Sequence, residues 1–179
     1  ILISVFFLVV LFPLIALISI LILLFDGRPI IFKQNRIGYY GKKFMIFKFR
    51  TMKNNSLKNE KLRLTYLGKI LRKLSFDEIP QFVNVLKKDM SIVGPRPLPE
   101  LIEKKVKKFL KKKRRSVHPG MTGLSQINYT GQFRKLDDKV KLDIKFIENY
   151  TIYTYFNILF NTPIILIIRL FKNKSSIIK

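Results

Sequence analysis

Hydrophobic residues dominate the start of the chain, where residues 1–25 contain no charged side chain. As one helix this segment would be about 37 Å long, enough to cross the roughly 30 Å hydrocarbon core of a bilayer. Pro13 lies in its middle, and a proline there removes a helical hydrogen bond and clashes with the preceding turn. We therefore predict a membrane-embedded helix broken at Pro13, which either spans the bilayer with a kink or re-enters on one face. The basic chain after Asp26 favours the cytoplasmic side for everything that follows.

Apolar and basic residues then alternate from Arg28 to Arg50, on both sides of the Gly-Tyr-Tyr-Gly segment at 38–41. This pattern predicts a β-hairpin. Lys48 and Arg50 leave the second strand at alternate positions and so share a face. They form either a solvated strand face or a pair of cations directed at phosphate. Residues 52–63 are polar and predict a loop.

Helical spacing of apolar residues predicts a helix over 65–73 and a second one after it, with Ile79, Phe82, Val83 and Leu86 in one stripe. Pro80 is tolerated only in a first turn, so the second helix is expected to begin near Ser75–Asp77. Ser75 and Glu78 match a capping box. A cap explains Glu78 and leaves the neighbouring acid, Asp77, unexplained.

Prolines at alternate positions make SIVGPRPLP (91–99) a stiff turn. Arg96 lies between two of them, which suits phosphate recognition, although a plain connector explains the turn as well. One helix is predicted over 100–115, with nine basic residues from Lys104 to Arg115. Its apolar face is formed by Ile102, Val106, Phe109 and Leu110. Such a helix is typical of a membrane surface; nucleic-acid binding and a solvated face are the alternatives.

Turn-forming residues predict a loop for HPGMTGLSQINYTG (118–131). His118 is its only candidate base, and a structural role explains it equally. Helical spacing resumes over 135–150, and the tail after Ile152 is apolar but interrupted at Asn161–Pro163, which favours an interfacial segment. The expected fold is therefore mainly helical α+β: a membrane-embedded segment (1–25), then one compact cytoplasmic domain (26–179) with a small hairpin and amphipathic interfacial helices.

Composition narrows the partners of this domain. The formal charge of +24 calls for a polyanion, namely nucleic acid, an anionic membrane surface or a phosphate-rich substrate. The sequence has no cysteine and one histidine, which excludes disulfides, thiolate metal sites and histidine clusters. Any metal is therefore expected to be a hard cation held by oxygen atoms.

Several stretches, taken in order, resemble the bacterial sugar transferases, the monotopic phosphoglycosyl transferases. They are RPIIFKQNRIG (28–38), KFRTM (48–52), LGKILRKLSFDEIPQFVNVLKKDMSIVGPRPL (67–98), HPGMTGLSQIN (118–128) and KLDIKFIENY (141–150). The resemblance implies transfer of a phospho-sugar from a UDP-sugar to polyprenyl phosphate at the cytoplasmic face of the bacterial inner membrane. Membrane lipids are then the other partner, and nucleic acid is not expected.

The resemblance also implies roles for individual residues. Asp77 matches the nucleophile that attacks the sugar-bearing phosphate and releases UMP, and Glu78 matches a metal or orienting partner. Mg²⁺ is implied at this pair, as the metal held by Asp77 and Glu78. The remaining matches are candidates for binding substrate or phosphate: Lys48, Arg72, Arg96, His118, Gln126 and Asp143.

Three motifs depart from the family pattern. The family breaks its N-terminal helix near a Ser-Pro pair and makes it re-entrant. This chain has Phe12-Pro13, with the proline and without the serine, so the resemblance favours a re-entrant segment. His118-Pro119-Gly120 replaces Arg-Pro-Gly, and Leu124-Ser125-Gln126 replaces Trp-Ala-Gln. If these positions hold the nucleotide or sugar, specificity is shifted. The alternatives to an enzyme are a non-catalytic scaffold of glycan assembly and a membrane-tethered nucleic-acid-binding protein.

Overall fold

The computed structural model describes residues 1–53, 63–128 and 135–171. These residues form a mainly helical α+β structure with two small two-stranded sheets, which confirms that part of the predicted fold class. The contacts divide the chain into two compact units. The first comprises Ile1–Lys33 and Ile46–Leu86, and the second comprises Gln34–Met45 and the described residues from Lys87 onward. The predicted division into a membrane segment and a cytoplasmic domain after residue 25 stays a prediction.

The N-terminal apolar segment forms two helices, α1 (Leu2–Val10) and α2 (Phe12–Phe25), bent by 59° relative to each other. Pro13 lies in the first turn of α2, where a missing N–H leaves no helical bond unmade. The break therefore falls at Leu11, immediately before the proline-containing turn, close to the predicted position. Within the described ranges no single helix is long and apolar enough to cross a bilayer, whereas this bent pair together has the length and composition.

The predicted hairpin is present. Strand β1 (Ile31–Ile37) and strand β2 (Lys43–Phe49) pair with each other, joined through a 3₁₀ turn at Tyr39–Gly41. Tyr40 has a left-handed backbone with φ 49°, a conformation that tight hairpin connections commonly require. Of the loop predicted over 52–63, residues 54–62 lie outside the described part of the chain.

Helix α3 (Tyr66–Leu74) confirms the helix predicted over 65–73, and the Thr65 hydroxyl caps it by accepting from the Gly68 amide at 2.9 Å. The next helix, α4 (Gln81–Leu86), begins later than predicted. The predicted capping box is wrong, because Ser75 ends α3 with a left-handed φ of 58° and its side chain makes no capping bond.

Pro80 explains the late start of α4. Without an N–H it cannot extend a helical ladder from Phe76. The preceding residues instead form a separate 3₁₀ turn, Phe76–Glu78, which is closed by the bond from the Ile79 amide to the Phe76 carbonyl at 3.2 Å. The dipole of a regular helix therefore does not begin at the two acids.

The first unit is held by an apolar core that joins α2 to the segment after the hairpin. Its close packing depends on Gly68, where an added Cβ would lie 2.1 Å from the carbonyl oxygen of Thr51. Any larger residue there would push α3 off the strand end. The buried members of this core are Ile18, Ile22, Phe49, Leu71 and Ile79.

Arg50 clamps the end of α2. Its side chain is buried and donates to the carbonyls of Asp26, Gly27 (2.6 Å) and Arg28 (2.8 Å). The Asp26 carboxylate in turn accepts from the Thr65 hydroxyl, the cap of α3, at 2.9 Å. Neither interpretation of the Lys48–Arg50 face therefore holds for Arg50. Its side chain is buried rather than solvated, and its donors bind backbone carbonyls at the end of α2 and in the turn that follows rather than phosphate.

Replacing Arg50 by lysine is expected to destabilise the protein by about 1–3 kcal/mol, because one ammonium cannot satisfy three carbonyls that the guanidinium fork reaches together. The measurement is the thermal unfolding midpoint of the detergent-solubilised chain. Arg28→Lys is the matched control, since the Arg28 side chain is exposed. Equal midpoints for the two variants would contradict the clamp.

The second unit contains a parallel pair of short strands, β3 (Ser91–Val93) and β4 (Gly120–Thr122), with Ser91 opposite Gly120 and Val93 opposite Thr122. The prediction of a loop over 118–131 is therefore wrong for β4 and for α7 (Leu124–Ile127). Residues 129–131 of that loop lie outside the described residues. The glycines read as turn formers instead permit close contact, since a Cβ on Gly120 would lie 2.1 Å from the Gly94 amide nitrogen.

The single helix predicted over 100–115 is also wrong. The chain forms α5 (Glu100–Lys105) and α6 (Lys108–Arg114), because Val106 is buried with an extended backbone (φ −76°, ψ 139°). The extended residue lets both Val106 and Leu110 reach one apolar cluster with α8. Phe109, which was predicted to lie on the apolar face, is instead 73% exposed.

Two helices complete the second unit. Helix α8 (Leu136–Glu148) confirms the periodicity over 135–150 and supplies Val140 and Ile144 to the cluster. Helix α9 (Ile152–Phe171) runs through Pro163 without a break, which corrects the predicted interruption. Just before that proline, the Thr162 hydroxyl bonds to the Thr122 hydroxyl of β4 at 2.8 Å and also donates to the Ile158 carbonyl at 2.7 Å.

Candidate active site

Asp77 lies in the 3₁₀ turn between α3 and α4, and it is only 8% exposed. The turn exists because Ser75 closes α3 with a left-handed residue and Pro80 delays α4. The neighbouring residues Phe76 and Ile79 pack into the core of the first unit. A carboxylate is thus fixed at a rigid bend, with limited access to solvent.

Glu78 and Lys48 form an ion pair directly beside Asp77. The Lys48 ammonium lies 2.5 Å from Glu78 Oε1, and both side chains are mostly shielded, with exposures of 15% and 22%. The strand that carries Lys48 is positioned by Asn84, a fully buried residue of α4 whose Oδ1 accepts from the Phe47 amide at 3.0 Å. The first unit therefore brings two residues that were predicted separately, Lys48 and Glu78, into contact.

Arg72 lies on the last turn of α3, on the chain just before the acids. Its Nε donates to the Thr51 hydroxyl at 2.9 Å, while the side chain as a whole remains exposed. The bond fixes the Nε end of the guanidinium group on the protein. This geometry is compatible with the predicted phosphate-binding role, which stays a prediction.

The other four predicted residues lie in the second unit. Arg96 lines a small pocket together with the flanking prolines and Gly38. His118 is exposed and stacks on the Tyr39 ring, with centroids 4.3 Å apart. The Gln126 amide donates to the Met121 carbonyl at 2.7 Å. Their roles in binding substrate stay predictions.

Asp143 is the fourth predicted residue in the second unit, and its hydrogen-bond partners are buried side chains of the protein. One of its oxygens accepts from the Ser125 hydroxyl at 2.7 Å and the other from Arg114 Nε at 3.1 Å, all in the buried interior. Burial raises the pKa of the Asp143 carboxyl, and the Arg114 guanidinium and the Ser125 hydroxyl oppose that rise. Both oxygens are engaged within the protein, so the geometry favours a scaffolding role over contact with substrate.

Arg114 is the hub of this interior. Besides Asp143 it pairs with Glu103 at 2.9 Å, and its Nη2 donates to the backbone carbonyl of Arg96 at 2.7 Å. Arg114 and both carboxylates are almost fully buried. This network therefore holds the stiff GPRP turn (94–97) in place through the backbone carbonyl of Arg96.

The carboxylates of Asp77 and Glu78 can be tested for whether they suit the Mg²⁺ ion that the resemblance implies. Within the described ranges there is no group of three or more acidic, histidine or cysteine side chains that would hold an ion alone. Asp77 and Glu78 supply two carboxylates, and Mg²⁺ commonly takes one or two carboxylates together with substrate phosphate oxygens and water. The pair therefore fits an ion that is bound jointly with a diphosphate rather than by a protein cage.

Sequence reasoning missed two residues that position this machinery, Asn84 and Arg114. Asn84 offered a signal, since a polar residue between Val83 and Val85 interrupts the apolar core of a short helix. Arg114 offered no such signal. It lies in a run of lysines and arginines, and the sequence does not show that it alone among them is buried.

Comparison with known proteins gives a consistent result. The family model described as bacterial sugar transferase matches residues 1–169. The chain is 42% identical to the uncharacterized sugar transferase EpsL of Bacillus subtilis over 144 residues, covering 74% of this chain and 67% of that protein. It is 39% identical to the galactosyl transferase CpsE of Streptococcus agalactiae over 155 residues, covering 76% of this chain and 34% of that protein.

An enzyme with a fully stated activity is also similar. The UDP-glucose:undecaprenyl-phosphate glucose-1-phosphate transferase of Escherichia coli is 34% identical over 165 residues, covering 84% of this chain and 35% of that protein. The chain thus spans about a third of the length of two of these relatives and 67% of the third.

Proposed function

Because this chain belongs to the bacterial sugar transferase family, we propose that it transfers a sugar-1-phosphate from a UDP-sugar to a polyprenyl phosphate and so initiates assembly of a glycan. The observation that carries the proposal is the buried Asp77 in a rigid turn beside the Lys48–Glu78 ion pair. Relatives whose names state both substrates support the substrate classes.

The proposed chemistry has two displacements at one phosphorus atom. An Asp77 carboxylate oxygen attacks the sugar-bearing phosphorus, the bond to the bridging oxygen breaks, and UMP leaves with that electron pair. The product is an aspartyl phosphosugar. A phosphate oxygen of the polyprenyl phosphate then attacks the same phosphorus and returns Asp77 as a carboxylate, giving a polyprenyl diphosphate sugar. Neither displacement requires a proton from the protein.

The side chains around Asp77 suit this chemistry. Lys48 holds Glu78 in place and puts a cation beside the carboxylates, which favours an anionic substrate in a shielded site. Arg72 is the first unit's exposed guanidinium candidate for the diphosphate. Mg²⁺, held by Asp77, Glu78 and diphosphate oxygens, would supply charge neutralisation at the phosphorus and on the leaving group. Arg96, His118 and Gln126 remain candidates for binding nucleotide or sugar.

We further propose that the bent helix pair re-enters the cytoplasmic face of the bacterial inner membrane rather than spanning it. Both helices of the pair contact the catalytic segment of the first unit. Phe7 of α1 stacks on Phe82 of α4, the helix that follows the Asp77 turn, with ring centroids 5.3 Å apart. Arg50 binds the carbonyls of Gly27 and Arg28, directly after α2. A spanning pair would carry α1 to the far side, away from these contacts.

The function is tested by incubating the detergent-solubilised chain with Mg²⁺, polyprenyl phosphate and a panel of UDP-sugars, and by measuring UMP. We expect UMP with at least one sugar, in an amount that depends on the polyprenyl phosphate. A folded protein that releases no UMP with any sugar would contradict the proposal and favour a non-catalytic scaffold of glycan assembly.

A further inference from the structure

Helices α5 and α6 expose a dense group of lysines. The segment between Glu100 and Arg114 contains seven lysines, and most of their side chains face solvent. Six exposed residues of this segment are called the lysine surface below: Leu101, Lys105, Lys107, Lys108, Phe109 and Lys112.

The acids near these lysines are already committed elsewhere. Glu103 is buried and paired with Arg114 and Arg115 at 2.9 and 3.1 Å. Glu100 lies 2.8 Å from Lys43, whose hydrogen bond lowers the pKa of the Glu100 carboxyl. In the part of the chain that the structure describes, the four lysines of the lysine surface have no ion pair. Within the segment Glu100 also reaches Lys104, at 4.0 Å, and Lys104 is therefore not part of the lysine surface. No acid follows Glu103 in α5 or α6, so i,i+4 ion pairs do not neutralise the lysines from Lys105 onward.

Apolar side chains lie among the same lysines. Leu101 and Phe109 are 74% and 73% exposed. The neighbouring Leu110 packs against the buried cluster of Val106 and α8, so the apolar face that anchors α6 does not include Phe109. The surface therefore combines uncompensated positive charge with large apolar groups that the fold does not cover.

We infer that the lysine surface docks on the anionic phospholipid headgroups of a bilayer, with Leu101 and Phe109 at the level where the apolar interior begins. Anionic headgroups supply the charge that the fold leaves uncompensated, and insertion of the two apolar side chains removes them from water. Nucleic acid would match the lysines but gives no reason to expose an aliphatic side chain. The inference rests on the proposed function only in placing the chain at a membrane.

The absence of cysteine from the sequence allows a single site-specific label. Phe109→Cys, coupled to an environment-sensitive fluorophore, is reconstituted as the full chain into vesicles of phosphatidylcholine, with or without phosphatidylglycerol. We expect a blue shift and quenching by brominated lipid in the vesicles with phosphatidylglycerol, reversed by high salt. Identical spectra in the two kinds of vesicle would overturn the inference.

A matched pair of double variants tests the location. Lys108→Gln with Lys112→Gln removes two charges one helical turn apart on α6, and Lys141→Gln with Lys145→Gln does the same on exposed positions of α8. The α6 pair is expected to weaken docking about 30-fold, from roughly fivefold per lysine, and the α8 pair much less. Equal losses would show a net-charge effect and overturn the assignment to this surface.

Two further outcomes are separable. A label that responds to an oligonucleotide but not to phosphatidylglycerol would replace the lipid partner by nucleic acid. UMP release measures the proposed function independently of docking. A protein without UMP release but with phosphatidylglycerol-dependent docking would overturn the function alone, and the reverse result would overturn the docking alone.

Discussion

Asp77→Asn is expected to reduce UMP release by at least about 10³-fold, the scale on which removal of a nucleophile acts. An amide has almost the shape of the carboxylate, so the buried turn and the Lys48–Glu78 pair are expected to persist. The neutral amide, however, is a poor nucleophile and cannot form the aspartyl phosphosugar. The measurement is the initial rate of UMP release with the sugar that the native protein prefers.

The matched control for this variant is Asp137→Asn, the same chemical change at an exposed acid on α8. It is expected to keep the native rate, and both variants are expected to keep the native unfolding midpoint. If Asp77→Asn folded normally and released UMP at the native rate, Asp77 would not be the nucleophile.

Arg114→Met is expected to destabilise the protein by about 3–5 kcal/mol, because it leaves the buried carboxylates of Glu103 and Asp143 without their shared cation. For a chain of this length, that corresponds to a fall of roughly 10 °C or more in the thermal unfolding midpoint. The Arg96 carbonyl also loses its donor, so the GPRP turn is expected to loosen.

Lys113→Met is the neighbouring control, since Lys113 pairs with Glu148 at the surface and such a pair contributes about 1 kcal/mol or less. A second control removes the negative charges of the two buried carboxylates that have lost their cation. Adding Glu103→Gln and Asp143→Asn to Arg114→Met is expected to restore part of the lost stability. Equal midpoints for Arg114→Met and Lys113→Met would show that the network does not stabilise the fold.

The elements that the sequence predicted well are those whose evidence is local. Helices α3 and α8 and the β1–β2 hairpin each have a periodic pattern within one short stretch, and the break before α2 follows from Pro13 alone. Strand β4 was missed because it is three residues long, begins at Gly120, and forms only by pairing with β3 far away in the chain. A glycine at a close backbone contact cannot be distinguished from a glycine in a turn by sequence alone.

The candidate site shows the same limit. The Asp77–Glu78 pair drew attention because acids are rare in this chain, and Lys48 was identified through its motif. Their mutual geometry was not predictable, since the Lys48–Glu78 contact joins positions 30 residues apart. Arg114 was read as one more surface cation, because nothing nearby in the sequence indicates that the partner acid Asp143 is buried 29 residues further along.

The covalent intermediate is the central claim of the proposed function, and omission of the acceptor tests it most directly. The chain is incubated with Mg²⁺ and its preferred UDP-sugar without polyprenyl phosphate, and its intact mass and released UMP are measured. We predict a mass increase of one sugar phosphate, located by peptide mapping at Asp77, with stoichiometric UMP and no increase in Asp77→Asn. Release of UMP only when polyprenyl phosphate is present, with the protein mass unchanged throughout, would contradict it.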